Sequence, residues 1–131
     1  MTHCDKFVRR IYTFKQRLKY NPPMNLDFLR SLRKVCPMNY TPTSFAMLDV
    51  TTPKTFDNAY FETLIKGEGL LNSDQEMWSS VVGYSTADTV NKYWADPELF
   101  FKQFSDSMVK MGNITNPAGG EVRKSCRFVN T

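Results

Sequence analysis

The stretch LDVTTPKTFDNAYF at residues 48–61 gathers oxygen-bearing side chains into one short segment. Asp49 and Asp57 bracket Thr51, Thr52 and Thr55, with Pro53 among them. Asp and Thr accept hydrogen bonds from nearby backbone N–H groups, so such a segment suits turns and helix caps. The same carboxylates, hydroxyls and carbonyls also suit a cage for a hard cation. These residues alone leave both readings open. Further along, Ser73 and Glu76 in NSDQE have the spacing of a capping box, which puts Asp74 in the first turn of a helix, where the dipole favours a carboxylate. His3 is the single histidine, so it is the only imidazole available for chemistry.

Cys4, Cys36 and Cys126 lie far apart, with no CxxC pair and only His3 beside them, which argues against zinc. The odd count fits either reduced thiols or a disulfide framework with a member missing. The triplets Asn39-Tyr40-Thr41 and Asn113-Ile114-Thr115 are glycosylation sequons consistent with a secretory history, although such triplets also arise by chance.

These residues need a scaffold. The chain has 131 residues, one domain's worth, and 41% of them are hydrophobic, enough for a core. The formal charge is +4 and the pI about 9.0, but Lys and Arg are scattered rather than gathered in a stripe, which argues against nucleic-acid binding. No apolar run approaches the roughly 20 residues of a membrane span. The opening MTHCDKFVRRIY has no apolar signal-peptide core.

The pattern is helical. Phe7, Val8, Ile11 and Tyr12 share one helical face, interrupted by NPPM at 21–24. Leu26, Leu29, Leu32 and Val35 mark a second helix closed by Cys36-Pro37. Residues 38–56, rich in Thr, Ser and Pro, read as a long ordered loop. A short helix from Asn58 to Lys66 stops at Gly67, and another starts at the Ser73 capping box. Ser85 and Asp88 predict a similar start before residues 90–94. Asp96 caps a last helix with Pro97 in its first turn, whose apolar face is Phe100, Phe101, Phe104, Met108 and Met111. The tail from Gly112 reads as extended and irregular.

Three segments, TPKTFDNAYFETLIKGEGLLNSDQE, FFKQFSDSMVKMGNIT and GGEVRKSCRFVN, closely resemble the C-terminal half of the class III plant peroxidases, which are secreted haem enzymes. Upstream, HCDKFVRRIYTF and LDFLRSLRKVCP resemble the segment after that family's haem-ligand motif. The resemblance runs in order along nearly the whole chain. It implies a mainly α fold, with residues 1–131 as the proximal half of the peroxidase domain and short helices joined by long ordered loops. It implies secretion to the extracellular space.

The resemblance also implies residue roles. Asp49, Thr52, Thr55 and Asp57 match the proximal calcium ligands, Thr55 through its backbone carbonyl. Asp74 matches the aspartate that accepts a hydrogen bond from the iron-ligating histidine. His3 directly precedes Cys4 and so matches the second His or Gln of the motif HTxGxxHC, near a haem propionate. The iron ligand itself falls before Met1, and the distal arginine and histidine belong to an N-terminal half outside this sequence, as in a truncated product or a misplaced start codon. Cys4 and Cys36 match a disulfide, and Cys126 matches a cysteine whose partner lies in that other half, so its thiol is expected to be free. Complete members bind haem b and calcium, and use hydrogen peroxide to oxidise phenolic donors. Two functions follow: a piece of a peroxide-dependent oxidoreductase, inactive alone, or a catalytically inactive calcium-stabilised remnant or binding module.

Overall fold

The computed structural model describes residues 1–13, 24–41, 43–79, 84–115 and 119–131. It divides into two compact units, residues 1–101 and 102–131. Among the described residues six α-helices account for most of the regular structure. NPPM falls outside them except for Met24, which is buried.

The first unit begins with a short strand, β1 (Thr2–His3), which pairs antiparallel with β2 (Phe45–Ala46), Thr2 opposite Ala46. The long Thr/Ser-rich loop thus contains a strand that its composition conceals. A 3₁₀ turn at Cys4–Lys6 leads into helix α1 (Val8–Tyr12). Helix α2 (Leu26–Val35) starts at Asn25, whose side chain accepts from the backbone N–H groups of Asp27 and Phe28, and ends at Cys36. Its inward face is Phe28, Leu29 and Leu32, whereas Leu26 and Val35, assigned to the apolar stripe from spacing, are exposed at its two ends. End positions make fewer neighbours than the centre of a ten-residue helix, so the stripe narrows to its middle.

Cys4 and Cys36 form a disulfide with Cα atoms 5.7 Å apart, both cysteines fully buried. Around it pack Phe7, Ile11, Met24, Phe28, Leu29, Leu32, Ala46 and Leu70. Polar contacts fix α1 to α2 beside this core. Arg33 donates from Nε and Nη2 to the Ile11 carbonyl at 3.0 and 2.7 Å, and its guanidinium lies 5.3 Å from the centre of the Tyr12 ring. The Tyr12 hydroxyl donates to the Cys36 carbonyl at 3.1 Å. These contacts satisfy carbonyls that helix ends leave open.

Helix α3 (Ala59–Ile65) ends at Lys66, and Gly67 leaves it with φ of 74°, a left-handed turn that favours glycine. The chain then enters α4 (Asn72–Ser79). The fully buried amide of Gln75 joins the two helices, donating from Nε2 to the Leu64 carbonyl at 2.8 Å and accepting from the Gly69 N–H at 2.9 Å. Gly69 sits so close that a Cβ there would lie 2.8 Å from Gln75 Oε1 and 2.9 Å from Leu64 Cδ2.

Both proposed capping boxes shift. Helix α4 starts at Asn72, so Ser73 lies inside its first turn instead of capping it, and the Ser73 hydroxyl faces Asp74 Oδ1 at a long 3.4 Å. Helix α5 (Tyr84–Ala95) likewise starts before Ser85. Asp74 remains in the first turn of α4, as expected. Asn58 donates to the carbonyls of Tyr93 and Trp94 at the end of α5, both at 2.9 Å. Asp96 does cap α6 (Pro97–Gly112), accepting from the Leu99 N–H at 3.0 Å. The first turns of α6 bring Phe100 and Phe101 into an aromatic cluster with Phe56, Phe61 and Tyr93, ring centres 5.0–5.7 Å apart.

In the second unit, Phe104, Met108 and Met111 continue the stripe of α6, yet no residue of that helix is buried. Helical spacing marks an apolar face without saying what covers it. The described part of the tail has neither helix nor strand and is held by local contacts, such as the Asn130 N–H donating to Glu121 Oε1 at 2.9 Å.

Cys126 is exposed and unpaired. Thiol titration of the denatured, unreduced chain is therefore expected to give one equivalent, rising to three after reduction. Closing the 32-residue loop is expected to stabilise the fold by about 3–4 kcal/mol, read from urea unfolding of a Cys4→Ser, Cys36→Ser variant.

Candidate functional site

The loop before α3 folds its oxygens inward. Asp49 Oδ1 accepts from the backbone N–H groups of Thr51 and Thr52 at 2.8 and 3.0 Å, a side-chain turn in its own right. The Thr52 hydroxyl lies 3.1 Å from Asp49 Oδ2 and 3.0 Å from Asp57 Oδ1. Asp57 Oδ1 also accepts from the Ala59 N–H at 2.9 Å, at the start of α3. Turn formation and capping are thus both present. They do not account for the whole arrangement: one hydroxyl proton serves two carboxylates, whose like charges repel across it. The Thr55 N–H donates to the Thr52 carbonyl at 3.1 Å, which tightens the loop. Asp49, Thr52 and Asp57 therefore come together, with Thr55 in the same turn. The set is two carboxylates and a hydroxyl; among the described residues no three His, Cys, Asp or Glu side chains gather as a metal site.

Helix α3 carries the next link. Tyr60, one turn beyond Asp57, donates its hydroxyl to Asp74 Oδ2 at 2.6 Å. Both residues are half-buried. The phenol is held well above its ordinary pKa, first by burial, then by the hydrogen bond and charge of Asp74, with Asp49 adding to the effect and Arg10 opposing it. Tyr60 thus feels both the loop carboxylate of Asp49 and Asp74.

Arg10 approaches the other side of α4. It is 5% exposed, and it donates from Nη2 to the Gly69 carbonyl at 3.1 Å and from Nη1 to Asn72 Oδ1. Burial lowers its pKa to about 10, while the charges of Glu76, Asp74 and Tyr60 act to raise it. Neither Tyr60 nor Arg10 stood out in the sequence. Their partners are 14 and 62 positions away, and spacing patterns report only neighbours on one element.

His3 is separate from these groups. It is exposed on β1, opposite Phe45, and borders an open cavity with Asp5, Lys6 and Tyr40. It follows no element that would carry it toward Asp74.

Comparison with known proteins fits this arrangement. The peroxidase family model matches residues 1–96, and the chain belongs to that family. Among plant relatives, Peroxidase 11 of Arabidopsis thaliana is 49% identical over 98% of this chain and 40% of its own length. Peroxidase 54 of Arabidopsis thaliana is 41% identical over 97% of this chain and 36% of its own, and Peroxidase 15 of Ipomoea batatas 40% identical over 97% and 39%. The chain thus spans about 40% or less of the length of these relatives.

The raised phenol gives a signed pH dependence. Between the ordinary tyrosine pKa of about 10 and its higher folded value, the folded state holds a proton that the unfolded state has lost, so stability falls as pH rises above about 10. Arg10 acts in the opposite direction, since its folded pKa is depressed. A Tyr60→Phe variant is expected to lose the falling component and keep the rising one, seen as a changed slope of unfolding free energy between about pH 9 and 11. An unchanged slope would contradict the raised phenol pKa of Tyr60.

Proposed function

We propose that residues 1–131 form the proximal, C-terminal part of a haem peroxidase that in complete form uses hydrogen peroxide to oxidise small phenolic donors. The observation that supports this reading best is the Tyr60–Asp74 hydrogen bond beside the oxygen-rich loop, in a chain of the peroxidase family. Tyr60 occupies Asp74 Oδ2, and among the described residues Oδ1 has only the long contact with Ser73, so a carboxylate oxygen has capacity for an imidazole N–H. That fits the role implied for Asp74. A carboxylate accepting from an iron-ligating imidazole orients the ring and raises its basicity. Haem, when bound, supplies the iron at which peroxide is reduced and the donor oxidised. This chain's part is to hold the imidazole through Asp74, to keep Asp74 fixed through Tyr60, and to present His3 near a haem propionate.

The resident cation in this reading is calcium. Asp49, Thr52 and Asp57 would hold it through side chains and Thr55 through its carbonyl, with a threonine after the axial histidine completing the shell. Hard oxygens suit calcium, and its charge would relieve the repulsion between the two carboxylates. The same reading makes the protein extracellular, which suits a disulfide at the centre of the core. No helix among the described residues is long and apolar enough to cross a membrane.

Calcium is expected to raise the melting temperature of the chain, and an Asp57→Ala variant to lose that shift, measured by differential scanning fluorimetry with calcium against chelator. Calcium at 100 times its dissociation constant would contribute about 2.7 kcal/mol. An identical response in both proteins would count against the loop as the site.

The peroxidase reading is tested by guaiacol oxidation. With hemin, calcium and hydrogen peroxide, the 131-residue chain is expected to match free hemin, because in this reading its one histidine is not the iron ligand. Absence of a general acid–base group typically costs about 10²–10⁴-fold. Activity should appear when the remaining segment of a full-length relative is supplied with its histidines. Strong activity of the chain alone that disappears in His3→Ala would refute the assignment of Asp74 and His3.

A further inference from the structure

The two sequons, Asn39-Tyr40-Thr41 and Asn113-Ile114-Thr115, stand in different surroundings, and only one of them suits a bulky attached group. Asn113 follows Gly112, the last residue of α6, in the second unit. Its backbone N–H donates to the carbonyls of Val109 at 3.1 Å and Lys110 at 3.2 Å, so the chain keeps its helical path through Asn113. At 3.6 residues per turn, Asn113 shares a helix face with Val109, one turn back, which is 65% exposed. Phe104, Met108 and Met111 lie between about 140° and 200° around the axis from it, on the far side of the helix. Asn113, Ile114 and Thr115 are all exposed, and the Asn113 amide has no hydrogen-bond partner among the described residues. The side chains of Asn25, Asn58, Asn72 and Asn130, by contrast, each make at least one such bond.

Asn39 is exposed too, but its triplet is tied down. Tyr40 packs against the core, and its N–H donates to the Pro37 carbonyl at 3.0 Å. The Thr41 hydroxyl faces those of Thr43 and Ser44 at 3.1 and 2.9 Å, and Pro42 restricts the backbone of Thr41. The hydroxyl by which a transferase recognises its acceptor is therefore shared at Thr41 and open at Thr115. We infer that Asn113 carries an N-linked oligosaccharide and that Asn39 does not. This rests on the extracellular reading, because the donor, an oligosaccharide on a polyprenyl diphosphate, is met in the secretory lumen. In the transfer Asn113 Nδ2 bonds to the anomeric carbon, the bond from that carbon to the diphosphate oxygen breaks with its electron pair on the oxygen, and the amide gives up one proton. The attached sugar is bulky and hydrated. On the Val109 side of α6 it stands clear of the apolar stripe.

Translation of the whole chain behind a cleavable secretion signal, with microsomes present, tests the site. The added signal supplies entry to the lumen, so a failure here is a failure of the site and not of the extracellular reading. Protease-protected chain is expected to run as a species shifted by a single glycan, and endoglycosidase should return it to the mobility of the unmodified chain. Asn113→Gln and Thr115→Ala should abolish the shift, whereas Thr115→Ser, which keeps the hydroxyl, should retain it. Asn39→Gln should leave it unchanged. Protease-protected parent chain without a shift would overturn the site. A shift that survives Asn113→Gln, or a second shift that Asn39→Gln removes, would overturn the choice of Asn113 over Asn39.

Discussion

The Cys4–Cys36 crosslink is the constraint from which the rest of the first unit follows. Helix α1 is five residues long and α3 seven, well below the length at which a helix is stable in water without tertiary support. The disulfide holds the turn before α1 against the end of α2, and both sulfur-bearing residues are fully buried. With those ends fixed, Phe7 and Ile11 have a stationary surface in Phe28, Leu29 and Leu32 to pack on. The strand pair continues the restraint, because Ala46 opposite Thr2 brings the long loop back to the same core. That loop then delivers Asp49 and Asp57 to α3.

Side chains perform the corresponding task where no covalent bond is present. Arg33 closes the end of α1, Asn25 opens α2, Asn58 closes α5 and Gln75 joins α3 to α4. Each meets backbone groups that a short helix leaves unsatisfied, and a short helix has proportionately more of them. The consequence for the site is positional. Helix α3 is anchored in its first turn by Asp57 and by Tyr60 to Asp74, and at its end by Gln75 through Leu64. The oxygen-rich loop and Asp74 are therefore both tied to the first turn of one short helix.

Local chemistry made much of this readable from the residues. Gly67 ended α3, Asp96 and Pro97 began α6, and Asn58 and Asp74 fell at helix starts, because each depends on groups within one turn. The disulfide and the gathering of Asp49, Thr52 and Asp57 came through the family resemblance; spacing alone left pairing and cage open. What stayed hidden was decided at long range. The Ser73 and Ser85 boxes were outcompeted by helices that start earlier. The stripe of α6 was legible as a face, yet its aromatic start and exposed continuation have different surroundings that no periodicity encodes. Arg10 read as one more cation on a basic chain, since its burial depends on Gly69 and Asn72, about 60 residues on.

Arg10 also shows why the two halves of the α4 start differ. On one side Asp74 meets Tyr60, a neutral donor whose proton is held more firmly by burial and by the nearby carboxylate. On the other, Arg10 meets only amide and carbonyl oxygens, and burial works against its charge. A direct Arg10–Asp74 ion pair would satisfy both, but it would commit the carboxylate to a cation. Held instead by a phenol through one oxygen, Asp74 has its second oxygen outside that bond. The two charged groups thus stand at one helix start, each held by neutral partners.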